Sequence, residues 1–482
     1  ANGAIGEMMA PELDDNGTPE DPGDDSVFLL GDSHHARPLV VGPPANSRYF
    51  ALDLADDGTP CTAGNPSYRC FFQRHQRRRS VALLASNDAL LHAIDVAIPR
   101  ASGPFAGETD RGTGHEVFAF APRGVLPAVK ALFGDGLSRT WAVDGSLTAA
   151  DAFIDPLDDG GVFPDPAERE WRTRVVGPLP RGGDAYYALD LTQPDPYDPD
   201  GLPSGVDDYV PGCLDGGAGC GTLPYPAQLW EFTDPWLLSD PPRGARFDAD
   251  LHGEDDLVST WSVPSLGRME VCAGANCDPT ALDNDIESRG VAVFGGGLDK
   301  SNVTGNWLFI VDLETGRAIY KRELLDSDGA SGGAVASGIA AVDTDDDGFL
   351  DRVYAPTLRG YLYRVDLRGP DGEVPRLAPA VELVDPGGGA PPIQVEVSRV
   401  TSDDFRPRVV FKAQPDSETT GPASRAIYHR PSVIFSAALD GHVLAFGTGD
   451  REDLWSGAGS RGAFYAFRDD IAADDFDTYY TE

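Results

Sequence analysis

Short runs of alternating apolar and polar residues recur along the chain, and each run ends in an aspartate near a turn. Seven runs have this form: 48–54 (RYFALDL), 90–96 (LLHAIDV), 185–191 (AYYALDL), 229–234 (LWEFTD), 308–313 (LFIVDL), 361–367 (YLYRVDL) and 463–469 (AFYAFRD). Their aromatic and β-branched content predicts strands. Repeated strand-and-turn units favour a β-propeller, because radial repetition leaves only short, protected sheet edges.

The predicted fold is therefore all-β, a modified β-propeller of about seven blades with long loop insertions and one or two short helices. The runs are unevenly spaced, whereas a blade takes roughly 40–50 residues. Insertions are expected at 155–170, 193–226 and 368–392, which are rich in Pro, Asp and Gly, and a helix is expected at 125–136. The predicted divisions are an acidic linker or N-terminal extension at 1–26, the propeller at 27–470 and an acidic tail at 471–482.

The charge of the chain argues against nucleic acid as a partner. Its 38 basic and 78 acidic residues give a net charge of −40 and a pI near 4.3, which suits cations better than phosphates. No apolar run reaches the ~18 residues of a membrane-spanning helix. The start at Ala1, without Met, indicates processing or excision from something longer.

Six cysteines fall into three close pairs, and each pair brackets a loop-like stretch. The spacings lack the second pair or the histidines that a zinc site would need. Three local disulfides are therefore predicted, and they imply an oxidising compartment. The pairs are Cys61 with Cys70, Cys213 with Cys220, and Cys272 with Cys277.

The segment 343–351 (DTDDDGFLD) has the spacing of a calcium loop. Carboxylates occupy positions 1, 3, 5 and 9, and Gly348 occupies position 6, where the sharp turn is required. The predicted ligands are the carboxylates of Asp343, Asp345, Asp347 and Asp351 and the carbonyl of Phe349. Position 12 is Tyr354, inside a strand-like run, so the loop is expected between strands and without EF-hand helices. A solvated acidic turn is the alternative.

A second acidic stretch, 248–256, has similar spacing through Asp248, Asp250 and Asp256. His252 at position 5 is a poor ligand for a hard cation, so a solvated loop is favoured there. The one basic cluster contains Arg74, Arg77, Arg78 and Arg79. It suits docking of a carboxylate-rich partner, or else a loop neutralised by acids of the same chain.

Two common catalytic motifs, HExxH and the P-loop, are absent from the sequence. No triad residues surround the adjacent His34 and His35 at a useful local spacing. The interpretation is a protein without enzymatic activity.

Several motifs occur in the order of one known family. These motifs are LLGDSHHARPLVVGPP (29–44), NDALLHAID (87–95), HEVFAFAPRGVLP (115–127), VDGSLTAAD (143–151), WRTRVVGPLPRGGDAYYALDLTQP (171–194), LWEF (229–232), TWSVP (260–264), VAVFGGG (291–297), the acidic loop with DRVYAPTLRGYLYRVDL (351–367), RPSVIFSA with VLAFGTG (430–449), and AFYAFRD (463–469). On these motifs the chain resembles, over residues 27–470, the C-terminal propeller of the PilY family of type IV pilus tip-associated adhesins.

The resemblance implies a non-enzymatic, calcium-regulated protein at the tip of a type IV pilus. Minor pilins would be its partners, and it would support pilus assembly, retraction in twitching motility and adhesion outside the cell. The family loop usually has Asn at position 5, where this chain has Asp347. The alternative is a secreted quinoprotein-type propeller dehydrogenase, whose calcium would lie in the central channel.

Overall fold

A computed structural model describes residues 33–46, 48–51, 58–61, 65–99, 109–126, 129, 141–157, 163–195, 213–214, 217, 219–233, 245–247, 256–384, 393–413, 425–449, 462–472, 475 and 478–481. Regular structure in these ranges is almost entirely β, with two short α-helices, α1 (Arg48–Ala51) and α2 (Tyr68–His75). There are 3₁₀ turns at Arg123–Val125 and Asp403–Phe405. The predicted all-β class is confirmed, and none of the described helices is long and apolar enough to cross a membrane.

The first two sheets have five strands each. The first contains β1 (Leu39–Val41), β2 (Ser80–Ala85), β3 (Leu91–Pro99), β4 (Thr109–Arg111) and β5 (Glu116–Phe120). The second contains β6 (Thr148–Ile154), β7 (Glu170–Pro178), β8 (Ala185–Asp190), β9 (Ala227–Thr233) and β10 (Ala245–Phe247). Neighbouring strands are antiparallel except β9 and β10, which are parallel. In the first sheet, β3 pairs with β2, β4 and β5.

The third sheet is a four-stranded antiparallel meander, and the fourth holds an inserted hairpin. The third contains β11 (Ser265–Cys272), β12 (Ile286–Gly295), β13 (Trp307–Asp312) and β14 (Ala318–Glu323). The fourth begins with β15 (Ala340–Val342), β16 (Arg352–Pro356) and β17 (Tyr361–Asp366). A separate hairpin of β18 (Leu377–Val384) and β19 (Ile393–Val400) follows, and β20 (Arg408–Lys412) then pairs with β17.

The fifth sheet contains β21 (Ser432–Ser436), β22 (Gly441–Gly447) and β23 (Phe464–Arg468). After it the chain returns to the fourth sheet, where β24 (Tyr480–Thr481) pairs in parallel with β20. Ile471 is also buried, in the core between these two sheets. Residues after 470 therefore also contact the fourth and fifth sheets. The domain boundary at 470 stays a prediction. The predicted extension 1–26 lies outside the described residues.

Apolar side chains fill the gap between each sheet and the next. Between the second and third sheets, for example, Tyr186 stacks on Phe294 with 3.8 Å between the ring centroids. Phe411 and Phe446 pack similarly between the fourth and fifth sheets, with 5.1 Å between the centroids. This face-to-face packing of successive sheets is the blade arrangement of a propeller.

The first strand of each sheet lies innermost. β1 contacts β6, β6 contacts β11, β11 contacts β15, and β15 contacts β21. The starts of these strands also meet, since Ser265 at the start of β11 donates to the carbonyl of Ile339 just before β15. Segments that precede the inner strands therefore lie at one end of the axis, which we call the entry end. Segments that follow them lie at the other, which we call the exit end.

Five of the seven alternating runs supply one strand to each of the five sheets, as β3, β8, β13, β17 and β23. The run at 229–234 is β9, which pairs with β8 in the same sheet. The run at 48–54 begins as helix α1, whose Tyr49 packs on Tyr68 and Trp171 at centroid distances of 5.1 and 4.8 Å. The propeller is confirmed, and the described residues contain five such sheets where the runs predicted about seven blades.

The aspartate that ends four of these runs pairs with an arginine on or beside the neighbouring strand. The pairs are Arg79 with Asp95, Arg174 with Asp190, Arg289 with Asp312, and Arg352 with Asp366. The first three aspartates are buried. The recurring aspartate therefore neutralises a cation at the exit end of each of these four sheets, because a buried charge needs a partner.

Most of the helix predicted at 125–136 lies outside the described residues, as do parts of the three predicted insertions. The insertion at 368–392 contains the whole of strand β18.

Gly316 has a left-handed backbone, with φ of +67°. A Cβ added there would lie 2.5 Å from Cγ of the buried Trp230. Trp230 is fixed in turn by a hydrogen bond of 3.1 Å from its indole nitrogen to the carbonyl of Leu313. Glycine is therefore required both by the turn and by the contact between the second and third sheets.

Gly316→Ala should destabilise the protein by about 2–4 kcal/mol, because strain in the left-handed turn adds to overpacking against Trp230. Gly329 is the matched control, since its φ is +76° and nothing lies within 4 Å of an added Cβ. Gly329→Ala should lower the free energy of unfolding by only about 1–2 kcal/mol, because it adds strain in the left-handed turn and no overpacking. Urea unfolding of both variants measures the difference, and equal losses would contradict the packing account.

His92 is buried between two carboxylates. Its Nδ1 lies 2.5 Å from Oε1 of Glu116, and its Nε2 lies 2.9 Å from Oδ2 of Asp88. Burial alone would lower the pKa of His92, but the hydrogen bonds and charges of Asp88 and Glu116 outweigh it and raise the pKa to about 9. The protonated imidazole therefore stabilises the first sheet.

The folded pKa of His92 lies above the ordinary value of 6.5, so its contribution is fully present below pH 6.5 and is lost as pH rises through 9. The loss should be about 3 kcal/mol. Unfolding free energies of the wild type and His92→Gln, measured from pH 6 to pH 10, should converge as pH rises. A difference that stays constant with pH would contradict this account.

Candidate functional site

The acidic loop 343–351 lies at the exit end of the propeller, where it connects the inner strand β15 to β16. Its base is closed by a hydrogen bond of 2.9 Å from the Asp351 amide to the carbonyl of Val342. The Leu367 amide, just after β17, donates to the carbonyl of Asp351 at 2.6 Å. The loop lies between strands, as predicted, and both ends are fixed by the fourth sheet.

Three of the four predicted carboxylates converge. One oxygen from each of Asp343, Asp345 and Asp351 lies within 4.8 Å of the other two. Asp351 is buried, Asp343 is half-buried and Asp345 is exposed. An all-oxygen donor set of this kind suits a hard cation such as Ca²⁺.

The turn of the loop depends on two left-handed residues, Asp346 with φ of +70° and Gly348 with φ of +91°. This turn points two amides at the first carboxylate, because Asp343 accepts from Asp346 at 2.7 Å and from Gly348 at 2.8 Å. Gly348 therefore has the role that the sequence predicted for position 6.

Asp351 is the residue whose surroundings best fit a cation. Its Oδ2 accepts two hydrogen bonds from Thr344, 2.6 Å from the amide and 2.7 Å from the hydroxyl. Its Oδ1 is buried and accepts no hydrogen bond from the described part of the chain. A buried carboxylate oxygen without a donor is costly, and a bound ion would satisfy it.

Asp347 points away from the three converging carboxylates. Its Oδ2 lies 2.8 Å from Nη2 of Arg368, and its Oδ1 accepts from the Phe349 amide at 2.8 Å. Burial raises the pKa of Asp347, and the negative charges of Asp345 and Asp351 also raise it. The hydrogen bond from the Phe349 amide and the positive charge of Arg368 lower it. The ring of Phe349 packs 4.8 Å from the Arg268 guanidinium. Ligation by Asp347 and by the Phe349 carbonyl stays a prediction.

Two arginines pair with carboxylates of this loop. Arg368 reaches Asp347 and lies 3.5 Å from Oδ1 of Asp351, while its Nη2 also lies 2.6 Å from Glu270 on β11. Arg48 in α1 lies 3.5 Å from Asp343 and contacts Asp346. Local spacing revealed neither arginine, because both lie outside the loop in the chain.

The structure contains the three predicted disulfides and no free cysteine. They close loops with separations of nine, seven and five residues. Bridges over such short loops constrain local segments, so the sheets depend on apolar packing for their assembly.

The basic cluster divides into two pairs of residues. Arg78 is buried and donates to the carbonyl of Gly42 at 2.7 Å and to Thr173 at 2.8 Å. Arg79 is buried against Asp95 at 2.9 Å and Asp195 at 3.0 Å. Docking through Arg78 and Arg79 is therefore wrong, because both side chains are buried and bonded inside the chain. Arg74 and Arg77 are half-buried, and their role stays a prediction.

One histidine has a carboxylate partner that the sequence did not reveal. Nδ1 of His35 lies 2.5 Å from Oδ2 of the buried Asp144, and the ring of His35 lies 4.6 Å from that of Trp261. Arg181 stacks over Trp141 at 4.5 Å beside them. These residues gather at the entry end from segments more than 100 residues apart, so local spacing carried no signal.

The second acidic stretch gains no support as a metal site. Asp256 is buried and pairs with Lys321 of β14. Asp248 and Asp250 lie outside the described residues.

Residues 287–461 match the family model described as the PilY1 beta-propeller domain. The predicted relationship to the PilY family is confirmed. Type IV pilus biogenesis factor PilY1 of Pseudomonas aeruginosa (strain UCBPP-PA14) is 24% identical over 425 residues, which cover 87% of this chain and 27% of that protein. A PilY1 homolog of Xylella fastidiosa (strain Temecula1) is 31% identical over 166 residues, covering 34% of this chain and 11% of the homolog. The chain thus spans about a quarter or less of the PilY1 proteins it matches.

The crystal structure of the P. aeruginosa PilY1 C-terminal domain superposes with a TM-score of 0.52 and 20% sequence identity. The match covers 92% of this chain and 66% of the crystallised one, and it supports the fold alone. A quinohemoprotein alcohol dehydrogenase of Pseudomonas putida reaches a TM-score of only 0.24, which supports no argument about fold or activity.

Arg79→Gln should destabilise the protein by about 3–5 kcal/mol, because it leaves Asp95 and Asp195 buried without their cation. Arg77→Gln, with the same loss of charge in the same cluster, should cost about 0.5 kcal/mol or less. Urea unfolding measures both. Equal stabilities of the two variants would show that Arg79 has no buried structural role.

Proposed function

We propose that this chain is a non-enzymatic, calcium-binding propeller domain at the tip of a type IV pilus. It would act in pilus assembly, in control of retraction during twitching motility and in surface adhesion. One observation carries the proposal: a chain related to type IV pilus biogenesis factors gathers three carboxylates around a buried, unsatisfied oxygen of Asp351.

Asp343, Asp345 and Asp351 would hold the ion, with Asp347 and the carbonyl of Phe349 completing the oxygen ligands. The bound ion would supply positive charge that removes the repulsion among these carboxylates. In its absence, the residues of the loop depend on their own amides and on Arg48 and Arg368 for compensation. Order in the loop, and in whatever surface it presents, is therefore expected to depend on calcium.

The proposed location is extracellular, at the pilus tip or cell surface, reached by export through the periplasm. The three disulfides support an oxidising compartment. Calcium outside cells is about millimolar, so a loop with an affinity of only ~10⁻⁴ M would be filled there.

The proposed partners are minor pilins and other components of the pilus tip, together with a surface ligand of unidentified chemistry. Arg74 and Arg77 are the residues of the basic cluster that remain candidates for a carboxylate-rich pilin surface. The relationship to PilY1 proteins supports partners within the pilus.

Asp351→Asn should weaken calcium binding at least tenfold, because the neutral amide removes the charge from the only buried ligand of the loop. Asp440→Asn is the matched control. Asp440 is exposed in the β21–β22 turn with φ of 48°, and asparagine tolerates that left-handed backbone. Calorimetric titration with calcium measures both affinities. Unchanged affinity in Asp351→Asn, or no binding by the wild type, would refute the calcium site.

A further inference from the structure

We infer that Arg368 is a built-in competitor for the calcium ion and sets the affinity of the loop. This inference rests on the proposed calcium function and adds to it the residue that tunes the site.

Arg368 contacts three carboxylates with one guanidinium. Nη2 lies 2.8 Å from Oδ2 of Asp347 and 2.6 Å from Oε2 of Glu270, and Nε lies 3.5 Å from Oδ1 of Asp351. Asp347 and Asp351 are loop positions 5 and 9, whereas Glu270 belongs to β11 in the neighbouring sheet. The guanidinium therefore bridges two predicted ligands and one carboxylate outside the loop.

The competition follows from the atoms involved. Oδ1 of Asp351 is the buried oxygen that accepts no hydrogen bond from the described residues, so it is the atom available to an ion. The guanidinium of Arg368 forms an ion pair with this oxygen at 3.5 Å. Asp347 joins the other ligands only if it leaves Arg368, since its Oδ2 is engaged there and its Oδ1 accepts from Phe349.

Glu270 gives Arg368 a second position. When Asp347 turns toward the ion, Arg368 keeps its contact with Glu270 at the edge of the site. The side chains of Arg368 and Glu270 are 27% and 26% exposed, which leaves both room to move. Arg368 therefore has two positions, one on the loop carboxylates and one on Glu270 alone. Its preference for the first position lowers the affinity of the loop for the ion by a fixed amount.

Arg48 adds a weaker contribution of the same kind. It lies 3.5 Å from Asp343 and contacts Asp346, but its side chain is 53% exposed and is therefore more strongly screened by solvent. Arg368 is the better placed competitor because it faces the buried ligand.

Arg368→Gln should tighten calcium binding about tenfold, or about 1.4 kcal/mol. Glu270→Gln should act in the opposite direction and weaken binding several-fold, because Arg368 then has only loop carboxylates to pair with. Arg359→Gln is the control for net charge. Arg359 is exposed in the turn between β16 and β17, separated from the loop by about 15 Å of strand. The calcium affinity of the Arg359→Gln variant should stay within twofold of wild type.

Calcium titration calorimetry gives the affinities, and circular dichroism shows which variants fold. If Arg368→Gln binds calcium like Arg359→Gln while Asp351→Asn loses binding, the competitor is refuted and the calcium site stands. If the wild type binds no calcium, the proposed calcium-binding function is refuted, and the inference about Arg368 is refuted with it. If Arg368→Gln does not fold, Glu270→Gln decides: weaker binding supports the competitor, and unchanged binding overturns it.

Discussion

The packing of each sheet against the next is the constraint on which the rest of this molecule depends. Two of the inner strands, β1 and β15, have only three residues each, which are too few to hold their positions alone. Buried aromatic and aliphatic side chains between sheets, such as Tyr186 on Phe294, fix them instead. The acidic loop follows one inner strand directly, so its carboxylates are brought together by contacts made elsewhere in the propeller.

Paired charges add a second level of order. Four sheets place an arginine against the aspartate that ends a central strand, and most of these groups are buried. Breaking such a pair leaves an uncompensated charge inside the protein, so a strand that slips in register is penalised. The chain has 78 acidic and only 38 basic residues, and many of the basic side chains form pairs inside the protein. The same pairing of arginine with aspartate explains why arginines also contact the acidic loop.

Local sequence patterns predicted the structural features that depend on residues close together in the chain. Alternation identified β3, β8, β13, β17 and β23, the cysteine spacings identified the disulfides, and the spacing of Asp343, Asp345 and Asp351 identified the converging carboxylates. Effects that act between distant segments were missed. The run at 48–54 begins as helix α1, where Tyr49 meets Tyr68 and Trp171. Asp347 turns to Arg368, which lies 21 residues further along the chain. Arg79 seemed a surface residue because Asp195 lies 116 residues away.

The three disulfides have a consequence for how the protein matures. Each bridge joins cysteines fewer than ten residues apart, and none links one sheet to another. Oxidation therefore does not have to precede the stacking of the sheets, and a wrong pairing between distant cysteines is disfavoured once the propeller has assembled. Apolar packing of the sheets, rather than the bridges, thus determines how distant parts of the chain meet.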